Sequence, residues 1–327
     1  MAGVTVGHAT ITTGDLQTGV TVVRPHPGDP FTHKVPAAAV VINGFGKSVG
    51  LLQVNELGVL ETPVALTNTF SVGTVATAQI RAAIAAEPGI ARSTTSVNPL
   101  VFECSDAYLS DMQALGVREA HYVEALASSG GDFTRGSIGA GRGMTCFGLK
   151  GGIGSASRLV PLAGRSFTLG VLVLANFGKL ECLVLAGRAI GPALAKRLAQ
   201  RARADERGSI IVVMATDAPL DHRQLRRVAA RAAAGIGRTG GYYGHGSGDI
   251  ALAFSTAAVV PHDATTPILT CRTVAEPLLD PLFEAAAEAT EQAIVDALFS
   301  ATSVTGFAGH VRHALLDVAP DWRELAC

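Results

Sequence analysis

The chain has 327 residues, of which 48% are apolar and 16% charged, with a net charge of −1. That length buries a sizeable core in one large or two small domains, and that composition excludes a disordered chain. The near-zero charge gives no electrostatic reason to expect nucleic acid or an anionic membrane as a partner.

Taken in chain order, the N-terminus (Met1 to His8) has neither a basic start nor an apolar core, so it does not read as a signal peptide. No charge-free apolar stretch reaches the ~18 residues a membrane span needs. Short valine-rich runs at Gly19 to Arg24 and Ala37 to Ile42 predict strands. A helix is expected from Thr74 to Ala86, ending before Pro88. Phe167 to Asn176, Ser209 to Ala215 and Ile250 to Ser255 are continuous apolar runs, the pattern of strands covered on both faces. Arg201 to Arg207 reads as an exposed charged loop. Leu220 to Ile236 predicts a helix with Asp221 as N-cap and Leu225, Val228, Ala229 and Ala232 on one stripe. Pro281 to Leu298, rich in alanine, predicts the longest helix. Helices and strands do not alternate strictly, so an α+β layered sandwich is favoured over a doubly wound parallel sheet.

Five widely spaced cysteines (Cys104, Cys146, Cys182, Cys271 and Cys327) form no Cys-x-x-Cys pair, so neither zinc nor a disulfide framework is signalled and a cytoplasmic location is expected. The histidines show no metal-ligand spacing; His310 and His313 read as surface residues of a C-terminal helix. No metal and no cofactor are expected. Gly139-Ala140-Gly141-Arg142-Gly143 has the wrong spacing for a dinucleotide fingerprint. Gly44-Phe45-Gly46-Lys47-Ser48 ends like a P-loop, but Val41 stands where the first glycine should be. Both read as places of close backbone approach.

The segment Gly244-His245-Gly246-Ser247-Gly248-Asp249 carries the chemistry. One reading is a glycine-rich turn leading into a strand. The other is a nucleophile that makes its own base. Cutting the Gly246–Ser247 bond turns Ser247 into an N-terminus, whose α-amine, with a reference pKa near ~8, can take the hydroxyl proton. Gly246 would crowd an attacking side chain least.

Several motifs in the same order identify a resemblance over most of the chain. They are Val41 to Lys47, Leu60 to Thr69, Ser96 to Pro99, Gly139 to Gly141, Cys146 to Arg158, Ala175 to Gly178, Ala215 to Pro219, Gly246 to Asp249 and Glu288 to Glu291. The chain resembles the L-aminopeptidase/D-esterase family (the DmpA-type enzymes), which includes the β-peptidyl aminopeptidases. The resemblance implies a four-layer αββα sandwich. It also implies a precursor that cleaves itself before Ser247, giving an α chain of residues 1–246 and a β chain of residues 247–327, and a homo-oligomer of αβ units. The expected activity is hydrolysis of short peptides, amino-acid amides or esters through an acyl-enzyme. Acyl transfer, or a non-catalytic member that binds a small metabolite, are the alternatives.

Asn176, polar at the end of a long apolar strand, is the candidate oxyanion donor, or else a strand cap. Asp217 is placed to orient a substrate or the new amine, or to cap the helix that follows. Arg135 stands where the family often carries an acidic residue, and Phe147 where it carries Tyr. Both are expected to line the substrate pocket, with Arg135 either disfavouring a substrate's free ammonium there or pointing to solvent from a loop.

Overall fold

The computed structural model describes residues 1–162, 164–198, 208–263 and 267–325. Two sheets form its centre. The first holds β1 (Thr5–Ile11), β2 (Thr18–Arg24), β4 (Val64–Asn68) and β5 (Val101–Cys104), side by side in that order. The second holds β3 (His33–Gly44), β6 (Gly152–Leu162), β7 (Arg165–Asn176), β8 (Ser209–Thr216), β9 (Gly248–Ser255) and β10 (Val260–Pro261), in the order β10-β3-β9-β8-β7-β6. Val59–Leu60 adds a short pairing on β3. Pairing is antiparallel except between β4 and β5 and between β8 and β9.

The second sheet explains why its strands read as unbroken apolar runs. Successive side chains point to opposite faces, and both faces are covered. Leu172, Leu174, Ile211, Val213, Ile250, Leu252 and Phe254 face Val23, Leu66 and Phe102 of the first sheet. Their neighbours Val171, Val173, Val212, Ala251 and Ala253 face outward onto Leu225, Val228, Leu282, Ala289 and Ala293 of an outer helical layer. On the far side of the first sheet, Val72, Val75, Ala78, Tyr122 and Ala125 cover Val20, Val22, Ala65 and Val101. The layers therefore run α, β, β, α, the expected αββα sandwich.

The helices are α1 (Leu51–Leu57), α2 (Val72–Ala86), α3 (Glu119–Ala127), α4 (Gly191–Leu198), α5 (His222–Ala229), α6 (Ala232–Arg238), α7 (Asp280–Phe299) and the short α8 (Leu315–Val318). The alanines of α7 let it lie very close to the sheet. A Cβ added to Gly154 of β6 would stand 2.0 Å from the Ala293 carbonyl oxygen. Asp221 does cap α5, accepting from Gln224 N at 2.7 Å. The helix expected from Leu220 to Ile236 is, however, two helices, interrupted at Ala230 and Arg231. The break turns α6 onto α7, where Gly235 approaches the Ala287 carbonyl. His310 and His313 do not lie on a helix. They flank Val311–Arg312, which pairs with Val304–Thr305, and His310 stacks on Tyr108 with ring centroids 4.5 Å apart. Arg201 to Arg207 and Cys327 lie outside the described residues. Among those described, no helix is long and apolar enough to cross a membrane.

Candidate active site

Asn176, Ser209 and Gly248 lie at one end of the second sheet, because Asn176 pairs with Ser209 and Ile210 pairs with Asp249. Ser247 stands just before β9 and is only 3% exposed. The chain enters it through a turn closed by Ser247 N donating to the Gly244 carbonyl at 2.9 Å. Its own carbonyl accepts from Phe45 N at 3.3 Å and from Asn43 Nδ2 at 2.6 Å. Asn43 Nδ2 also reaches the Gly244 carbonyl at 2.8 Å, so one amide ties both ends of the turn to β3. Gly248 N donates to Ser209 Oγ at 3.0 Å. A Cβ on Gly248 would lie 2.6 Å from the Phe45 carbonyl, which explains the glycine after the serine.

Ser247 Oγ donates to Asp249 Oδ1 at 2.6 Å, and Asp249 is 1% exposed. Residues two apart share a face of a strand, so the Ser-Gly-Asp spacing brings hydroxyl and carboxylate together. A cleft of about 330 Å³ opens beside them, lined by Lys179, Gly208, Tyr242, Gly244, His245, Gly246 and Ser247. The irregular segment before Ser247 is steadied from Tyr243, whose hydroxyl donates to the Ala233 carbonyl. Burial pushes the Tyr243 pKa up to about 12, so it stays a donor. Cys104, the other buried nucleophile type nearby, donates to the Ser209 carbonyl at 3.3 Å. Burial raises its pKa well above the ordinary thiol value, which keeps it an inert neutral thiol.

The sequence pattern of peptidase family S58 matches residues 1–312. The chain belongs to that family. Among its relatives, the β-peptidyl aminopeptidase BapA of Sphingosinicella microcystinivorans is 38% identical over 95% of this chain and 83% of its own length. The BapA of Sphingosinicella xenopeptidilytica is 36% identical over 94% and 81%. Among solved structures, a Burkholderia sp. β-aminopeptidase is 37% identical with a TM-score of 0.90, covering 100% of this chain and 93% of its own. The L-aminopeptidase D-Ala-esterase/amidase of Ochrobactrum anthropi, described as a prototype serine aminopeptidase and a variant of the Ntn hydrolase fold, is 34% identical with a TM-score of 0.89, covering 100% and 94%. This S58 chain is a hydrolase of that fold.

Of the residues expected around Ser247, the structure brings Asn176 to the same sheet end, with one strand between them. Its amide is locked, with Oδ1 accepting from Thr145 N at 2.7 Å and Nδ2 donating to the Ser105 carbonyl at 2.9 Å. None of Asn176, Arg135, Phe147 and Asp217 is among the residues lining the cleft. Arg135 pairs with Asp296 of α7 at 3.2 Å, next to Gly136, which bridges to Ile153 at the far edge of the sheet. Phe147 is fully buried, its ring edge-on to Phe177 at 5.0 Å, and belongs to the core. Asp217 follows Thr216, which pairs with Ser255, and so stands at the opposite end of β8 and β9 from Ser247. There it accepts from Thr168 N at 2.6 Å.

The two nucleotide-like glycine segments are occupied by the protein itself. Gly139 N and Ala140 N donate to Thr10 and Thr21 hydroxyls, and Lys150 Nζ takes the carbonyls of Gly141, Met144 and Gly151. Phe45 N goes to Ser247 and Lys47 N to Glu103 Oε1 at 2.8 Å. No backbone N–H group of these four is left to cradle a phosphate. Among the described residues no cluster of His, Cys, Asp and Glu is arranged to hold a metal. Asn43, Ser209 and Asp249 were not read as site residues from sequence. The signal for Asp249 was its i+2 position from the serine; for Asn43 and Ser209, which act across strands, the sequence holds none.

Proposed function

We propose that the chain is a self-processing serine aminopeptidase and amidase that hydrolyses short peptides, aminoacyl amides or esters. Cleavage between Gly246 and Ser247 gives chains 1–246 and 247–327. Ser247 Oγ then attacks the substrate carbonyl, and the freed α-amine takes the hydroxyl proton and returns it to the leaving group. The acyl-enzyme is released by water. Asn176 supplies an oxyanion donor through its second Nδ2 hydrogen, from an amide already held by two backbone groups; such a donor typically contributes ~3 kcal/mol.

Ser247 carries this reading. It is a buried serine at the mouth of a 330 Å³ cleft, with Gly246 on its N-terminal side and a carboxylate on its hydroxyl. The relatives' aminopeptidase and amidase names support the substrate class. Widely spaced cysteines with no Cys-x-x-Cys pair support a reducing, cytoplasmic setting. Exposed Leu52 (90%) and Leu159 (75%) offer apolar surface to further subunits of a homo-oligomer.

The test is the mass of the purified protein under denaturing conditions, alongside turnover of β- and α-aminoacyl amides. Two fragments meeting at Gly246/Ser247 are expected, with Ser247→Ala a single inactive chain. A single chain with full activity would defeat the proposal. Adding an amine acceptor and analysing products separates hydrolysis from acyl transfer.

A further inference from the structure

We propose that Asp249 is the general base that activates Ser247 for cleavage of its own Gly246–Ser247 bond, a role that rests on reading Ser247 as a self-cleaving nucleophile. The base of the mature enzyme cannot do this work. In the uncut chain Ser247 N is an amide, donating to the Gly244 carbonyl, and has no basic lone pair. Another group must take the hydroxyl proton first.

Asp249 Oδ1 lies 2.6 Å from Ser247 Oγ, the distance of a hydroxyl donating to a carboxylate. Of the ionisable side chains that line the cleft, His245 is exposed, with its ring turned towards Phe45 at 6.2 Å, and Lys179 lies over the Tyr242 ring at 5.5 Å. Asp249 is also fixed in place. It pairs with Asn43 on one side and Ile210 on the other, with a bulge immediately after it. The bulge re-aims the strand where serine and carboxylate meet.

The step balances without any co-reactant except water. Ser247 Oγ attacks the Gly246 carbonyl carbon as its proton passes to Asp249. The tetrahedral centre collapses, the Gly246 C–Ser247 N bond breaks, and Asp249 returns the proton to the departing nitrogen. The product is an ester between Gly246 and Ser247 Oγ. Water hydrolyses it to the Gly246 carboxylate and a free Ser247 hydroxyl and α-amine.

The experiment follows precursor splitting with time by denaturing gel and mass, in wild type, Ser247→Ala, Asp249→Asn, His245→Ala and the double variant Ser247→Cys/Asp249→Asn. A wild type that never splits refutes the reading of Ser247 itself. Given a wild type that splits, Asp249→Asn is expected to do so at least ~100-fold more slowly, the usual contribution of a positioned base. The cysteine double variant should split faster than Asp249→Asn, because a thiol with a pKa near ~8.5 ionises without help. That rescue also shows that the Asn variant folds. Hydroxylamine should not accelerate Asp249→Asn, since no ester forms for it to attack. Splitting at the wild-type rate in Asp249→Asn, no rescue by cysteine, release of fragments by hydroxylamine, or a larger loss in His245→Ala would each overturn the assignment.

Discussion

Asp106 gives a prediction whose sign and size follow from its surroundings. It is fully buried one residue beyond Ser105, whose carbonyl holds the Asn176 amide. Burial pushes its pKa from an ordinary 3.8 up to about 7, against hydrogen bonds from Thr18 and Asn68 that favour the ion. Below pH 4 the group is protonated in folded and unfolded chains alike, and its burial carries no charge penalty. Between pH 4 and 7 the unfolded chain releases the proton and the folded chain keeps it, so stability falls as pH rises. Above 7 the folded chain holds a buried carboxylate and the loss is complete. From 3.8 to about 7 that loss is about 4 kcal/mol at most.

His8 opposes it. Burial lowers its pKa from 6.5 to about 4, so its contribution is lost as pH falls through that window. The two slopes largely cancel in the wild type. Asp106→Asn removes one of them. We expect a gain of about 1–3 kcal/mol at pH 8, shrinking to nothing near pH 4.5, and a net stability that now rises with pH. Urea unfolding at pH 4.5, 6 and 8, with Ser247→Ala as background so that one chain unfolds, measures it. An equal effect at all three pH values, or a loss at pH 8, would show that Asp106 is not the buried ion.

Asn43→Ala removes two hydrogen bonds from the turn that holds the Gly246–Ser247 bond, each typically contributing ~1 kcal/mol. Each carbonyl keeps one backbone partner, so precursor splitting should slow by roughly 5- to 100-fold and not stop, as gel time courses would record. In Gly154→Ala the benefit of losing glycine, ~0.4–1 kcal/mol, is outweighed by a Cβ 2.0 Å from the Ala293 carbonyl. Thermal melts should show a net loss of ~1–3 kcal/mol as α7 is lifted from β6. Arg135→Ala breaks a half-exposed ion pair with Asp296 and should cost ~0–1 kcal/mol. It should leave the ratio of kcat/KM for free and N-acylated aminoacyl amides unchanged; a tenfold shift would return Arg135 to the substrate site. Activity should survive EDTA, and a loss restored by a divalent ion would reveal a metal role.

The sequence by itself determined the elements whose environment is uniform along their length. Phe167 to Asn176, Ser209 to Ala215 and Ile250 to Ser255 are buried on both faces, so apolar character alone marks them, and the alanine-rich α7 is equally plain. Ser247 can be proposed from sequence because the chemistry proposed for it is local: glycine, serine and glycine along one stretch of chain. Strands β1 and β6 gave no such signal, since β1 carries Gly7, His8 and Thr10 and β6 carries Ser155, Ser157 and Arg158 among its apolar positions. Only tertiary structure decided what lies across from what. The pairing of β3, β9 and β8 brings Asn43 and Ser209 to Ser247 from 204 and 38 residues away in sequence. The same pairing sends Asp217 to the opposite end of the sheet, and α7 draws Arg135 into an ion pair at its edge. Strand register and helix packing are set by the sum of many buried contacts, and no single motif encodes that sum.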